Sequence, residues 1–130
     1  NGLGQQLELR ELILTGNQIR EIHELRRLLR LQKIDLASNQ IRDIAMLTTL
    51  RGVTKLNIAS NSIVDITPLA RMVSLEDVRM AANDIVDISP LLELDQLKVV
   101  SLGNNPLSRD SLEEYIPALR ARGVNIIGVR

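Results

Sequence analysis

Aromatic residues are almost missing from this 130-residue chain: Tyr115 stands alone, with no tryptophan and no phenylalanine. Any core must therefore be aliphatic, and 45% hydrophobic residues supply enough leucine, isoleucine, valine and methionine to build one. Cysteine is absent too, which excludes disulfides and thiolate chemistry and leaves the compartment open, cytoplasm and bacterial cell surface being equally compatible. Sixteen basic residues cancel sixteen acidic ones, so the chain lacks the cationic field on which nucleic-acid binding draws. No apolar run approaches the ~18 residues of a membrane span, and membrane insertion is not expected.

What the chain does have is a period. Asn17, Asn39, Asn61, Asn83 and Asn105 stand 22 residues apart without a slip. Leu12, Ile34, Leu56, Val78 and Val100 keep the same step, as do Leu14, Leu36, Ile58, Met80 and Leu102, and further apolar columns follow each asparagine. Within a unit the spacing changes. L-x-x-L-x-L ends with period two, the mark of a short strand with alternate side chains turned inward. I-x-x-I-x-x-L-x-x-L has period three, which suits 3₁₀ or loosely helical turns. One such unit cannot bury enough surface to order itself, so the units must stack, with the strands forming a parallel sheet. At the turn out of each strand, inward backbone groups lack a ladder partner, and an asparagine amide offers both donor and acceptor. The five asparagines are thus expected to form an internal ladder. Thr67-Pro68 and Ser89-Pro90 are expected to open helical turns, the hydroxyl capping and the proline occupying a first-turn position.

At these residues the pattern resembles the leucine-rich repeat family, whose L-x-x-L-x-L-x-x-N-x-L signature is matched by "LRELILTGNQI", "LQKIDLASNQI" and "LEDVRMAANDI". The 22-residue length and "NSIVDITPLARMVSL" resemble the subclass shared by bacterial internalins and a eukaryotic phosphatase regulator. The resemblance implies an α/β solenoid: a right-handed coil with a parallel sheet on its concave face, 3₁₀ or loosely helical turns on the convex side, and protein recognition on the strand-bearing face.

Three regions follow. Residues 1–8 read as the remnant of an upstream repeat, because Leu3 and Leu7 fall 22 residues before Leu25 and Leu29. Residues 9–107 hold five repeats. Residues 108–130 break the period and read as a C-terminal cap: an amphipathic helix with Leu112, Tyr115, Ile116 and Leu119 on one face, Ser111 and Glu114 as a capping box, and Gly123 as the stop. Val124 and Ile126 are expected to add a last strand, 24 residues after Val100 and Leu102. The expectation is a fragment of a longer array whose open end lets copies associate end to end.

Outward strand positions fall into columns. One runs Glu11, Lys33, Lys55, Asp77, Val99; the next Ile13, Asp35, Asn57, Arg79, Ser101; a third is small, Thr15, Ala37, Ala59, Ala81, Gly103. Lys33, Asp35, Lys55, Asn57, Asp77 and Arg79 are the expected partner-binding residues, a mixed-charge wall suited to a polypeptide of complementary charge. Arg79 alone among them is of a type favoured at interface hot spots, and internalins often carry aromatic residues on this face where this chain has none.

Other features carry blander readings. The acidic column Glu21, Asp43, Asp65, Asp87 precedes turns and reads as local capping, since the oxygen-rich loops of calcium sites are absent. Arg26, Arg27 and Arg30 read as a solvated basic face. His23 is the only histidine, no glycine-rich loop precedes GK[ST], and no serine or cysteine has a histidine base beside it, so neither catalysis nor a metal or cofactor site is expected. Two functions stand: a protein-recognition module acting through the concave face, in a bacterial surface or signalling setting, and a structural spacer whose concave face stays empty.

Overall fold

The computed structural model describes residues 8–129; the segment read as an upstream remnant lies outside them except for Glu8. Six three-residue strands, β1 (Glu11–Ile13), β2 (Lys33–Asp35), β3 (Lys55–Asn57), β4 (Asp77–Arg79), β5 (Val99–Ser101) and β6 (Asn125–Ile127), form one parallel sheet in sequence order. From β1 to β5 the register follows the 22-residue step, with Leu12 beside Ile34, Ile34 beside Leu56, Leu56 beside Val78 and Val78 beside Val100. The middle residue of β2 to β5 is buried and its neighbours face out, as alternation on a pleated strand requires.

Four 3₁₀ turns, His23–Arg27, Ala45–Thr49, Thr67–Arg71 and Ser89–Glu93, return the chain on the opposite side. Their period of three aims Ile44, Leu47 and Leu50 inward in one coil and Ile66, Leu69 and Met72 in the next, all at 0–1% exposure. One aliphatic core runs the length of the stack. Full burial of each such side chain contributes about 1.5–3 kcal/mol.

The turn openings differ from expectation. Thr67 and Ser89 do not cap; they are the first turn residues, each followed by proline. The cap group is the aspartate two residues earlier: Asp43, Asp65 and Asp87 accept the N–H of Ala45, Thr67 and Ser89 at 2.8, 2.9 and 2.8 Å. A carboxylate on a one-carbon stem closes this short loop, an Asx turn.

Four of the five asparagines reach back one coil. Asn39 Oδ1 accepts the N–H of Ile19, and its Nδ2 donates to the carbonyls of Leu14, Leu36 and Ala37. Asn61, Asn83 and Asn105 repeat the pattern on Ile41, Ile63 and Ile85. Asn17 departs from the column. It is exposed, with Nδ2 donating to the Leu14 and Thr15 carbonyls of its own coil, because no coil precedes it among the described residues.

The residue before each asparagine is left-handed: Gly16, Ser38, Ser60, Ala82 and Asn104 have φ of 75, 59, 58, 59 and 58°. The bend out of every strand thus demands a conformation that costs an L-residue about 1–2 kcal/mol.

The chain is helical over residues 109–121, with a π-helical turn at Ser111–Tyr115 followed by α1 (Ile116–Ala121). Ile116 and Leu119 are buried as expected, but Leu112 is 45% exposed, and the buried face is completed by Ser111 at 0%. Ser111 is not the helix cap either. Ser108 is, its Oγ accepting the Ser111 N–H at 3.1 Å, while Ser111 Oγ donates to the Val86 carbonyl and accepts the Ile88 N–H. A widened turn lets this hydroxyl stitch the helix to the last repeat. Gly123, at φ 89°, ends the helix. β6 pairs Ile126 with Val100, an offset of 26 residues rather than 24, since the helix needs more chain than a 3₁₀ turn. Gly128 then lies against Gly103: a Cβ on Gly128 would meet Gly103 N and Cα at 2.7 and 2.8 Å, which explains the glycine at position 128.

Candidate functional site

Because the strands stay in register, the outward columns lie side by side on one sheet face. Lys33 and Lys55 are register partners and exposed; Asp35 pairs with Asn57, and Asn57 with Arg79. All six residues of the expected binding set line one shallow depression of about 290 Å³, together with Glu11 and Ile13, over a floor of Leu12, Ile34 and Leu56. Asp35 and Asn57 are pinned: each Oδ1 accepts the N–H two residues on, that of Ala37 at 3.0 Å and of Ala59 at 3.1 Å. Arg79 Nε lies 3.5 Å from Asp77 Oδ1, a buried oxygen with no hydrogen-bond partner among the described residues. Neither lysine forms an ion pair among them.

Ile13 is 64% exposed, the most exposed of the large apolar side chains described. It heads the column that continues as Asp35, Asn57 and Arg79, so periodicity alone places it on the face; its apolar character kept it out of a set chosen for charge.

A larger groove, about 820 Å³, lies off the sheet on the segments following the asparagine turns, lined by Arg20, Glu21, His23, Gln40, Arg42 and Asp43 among others. Arg20 Nε donates to Gln40 Oε1 at 2.9 Å. Acidic and basic side chains alternate along it, and only the first coils contribute, whereas the sheet depression spans four strands in constant register. Among the described residues no cluster of histidine, cysteine, aspartate or glutamate has metal-site geometry, and no helix is long and apolar enough to cross a membrane.

Residues 8–51 match the family model described as leucine rich repeats, two copies. Internalin C2 of Listeria monocytogenes shares the architecture over 95% of the chain, with a TM-score of 0.81 and 34% identity. The chain is built of leucine-rich repeats. Another internalin of Listeria monocytogenes matches 85% of this leucine-rich repeat chain at TM-score 0.79 and 32% identity. A leucine-rich repeat protein of Leptospira interrogans matches 95% of it at TM-score 0.83 and 23% identity, a likeness of fold. The chain spans 52% of internalin C2, 32% of the other internalin and 32% of the Leptospira protein. No curated protein sequence matches it. Leucine-rich repeat solenoids serve protein–protein interaction, their per-repeat rotation creating extended concave surfaces.

Proposed function

We propose that the chain is a non-catalytic recognition module that seats a polypeptide partner on its concave sheet face, through Lys33, Asp35, Lys55, Asn57, Asp77 and Arg79. The observation carrying this reading is the single depression in which all six side chains converge, on strands held by backbone ladders and an asparagine at every bend. A rigid platform loses little entropy when a partner docks. Mixed charge supplies selectivity more than affinity, and Ile13 supplies apolar contact at one edge.

A photo-crosslinking side chain at position 13 on the sheet, or at position 71 on the convex turn, tests the reading in the chain as it occurs in its cell of origin. A partner trapped from position 13 and not from 71, and lost in the Lys55→Ala/Arg79→Ala variant, is the expected result. Trapping only from position 71 contradicts it, and trapping from neither position favours a spacer with an empty face.

A further inference from the structure

The column nearest the strand starts reads Glu11, Lys33, Lys55, Asp77, each residue the register partner of the next. Charge along it therefore runs minus, plus, plus, minus across β1 to β4. Like charges directly opposite on neighbouring strands repel, yet the two lysines sit side by side and their acidic neighbours do not close on them. Asp77 turns to Arg79 at 3.5 Å, and no ion pair joins Glu11 to Lys33 among the described residues. Neither ammonium group in the depression is thus ion-paired among the described residues: Asp35, on the strand of Lys33, spends its Oδ1 on the Ala37 N–H, and the column's own carboxylates lie one strand away on either side.

Resting on the concave-face reading above, we infer that this column selects an extended segment with a carboxylate between two cations, in the pattern Lys-x-Glu-x-Lys, lying across the strands. Parallel strands are about 4.8 Å apart, so the midpoint between Lys33 and Lys55 lies about 7 Å from Glu11 on one side and from Asp77 on the other. Alternate side chains of an extended segment point the same way and are about 6.6 Å apart. The two spacings agree. A central glutamate falls between Lys33 and Lys55, and the cations two residues before and after it fall over Glu11 and Asp77. A uniformly acidic segment meets repulsion at both ends, and a uniformly basic one at the centre.

Two synthetic heptapeptides test this by amide chemical-shift titration: Ser-Lys-Ser-Glu-Ser-Lys-Ser and its inverse, Ser-Glu-Ser-Lys-Ser-Glu-Ser. The first is expected to bind about tenfold tighter, the sum of several exposed charge pairs each contributing modestly, with shifts centred on β2 and β3 and a preference that fades with salt. In the Lys33→Ala/Lys55→Ala variant, which changes only exposed side chains, the preference should vanish. Equal binding of both peptides with shifts on the strands overturns the charge pattern and leaves the concave-face reading intact. Shifts confined to the convex turns, or binding of neither peptide, overturn the inference, and the convex result removes the concave-face reading as well.

Discussion

The side-chain oxygen of Asn83 accepts the backbone N–H of Ile63 at 3.1 Å, from a residue 20 positions earlier in the preceding coil. The same amide donates to the carbonyls of Ile58, Met80 and Ala81. One side chain thereby satisfies groups on two coils at a bend where no strand ladder can reach them, and Asn83 itself is only 6% exposed. Such buried groups cost about 1–3 kcal/mol each when left unpaired. The bend must be closed this way for the strands to leave the sheet in step, and the step is what aligns the outward columns.

The left-handed residue preceding that asparagine carries a correctable strain. Ala82 has φ 59°, where glycine has no Cβ to clash. Ala82→Gly should raise stability by about 1 kcal/mol, the left-handed penalty outweighing the added entropy of the unfolded glycine. Urea unfolding checks it; a lower midpoint with unchanged slope would contradict the strained reading.

Ser111 joins the terminal helix to the last repeat. Its Oγ donates to the Val86 carbonyl at 2.9 Å and accepts the Ile88 N–H at 3.1 Å in a site with no solvent exposure. Ser111→Ala should cost about 1–3 kcal/mol and expose the amides of β5 and β6 to faster hydrogen exchange before those of β2. Uniform acceleration along the stack would show instead that the cap and the repeats open as one unit.

Acid should weaken the turns. The backbone N–H of Thr67, and then its side chain, hold the Asp65 carboxyl below its usual pKa of 3.8. A carboxyl depressed on folding stabilises above its unfolded pKa, and the contribution is lost as pH falls through the lower folded value. Solvent surrounds this group, so the effect is small. Carboxyl-carbon NMR should place the Asp65 midpoint below 3.8, returning to that value once guanidinium chloride has unfolded the chain; an unchanged midpoint on unfolding would contradict the cap.

Most of the coil was legible because its physics repeats. A column such as Leu12, Ile34, Leu56, Val78 and Val100 states the register directly, and the sheet adopts it. The ends were less legible because each occurs once. Asn17 obeys the column yet stands exposed, since the bond it would make depends on a coil outside it. Ser111 looked like a helix cap by spacing, and its buried role arises from the widened turn that carries it under Val86. Ser38, Ser60 and Ala82 gave no warning of positive φ, because residues of these types seldom adopt it. In the candidate site, charge pattern singled out the polar residues, whereas the exposure of Ile13 required the placement of β1 at the edge of the sheet described.

Paired unfolding of Asn83→Ala and Asn17→Ala measures whether stacked coils sealed by asparagine hold this molecule together. The two substitutions are chemically identical and occupy the same repeat position, but one residue is buried with partners on two coils and the other is exposed with partners on one. Denaturant titration should show Asn83→Ala losing about 2–4 kcal/mol, more than one buried group being orphaned, against under ~0.5 kcal/mol for Asn17→Ala at the surface. Equal losses for the two, or a negligible loss for Asn83→Ala, would contradict it.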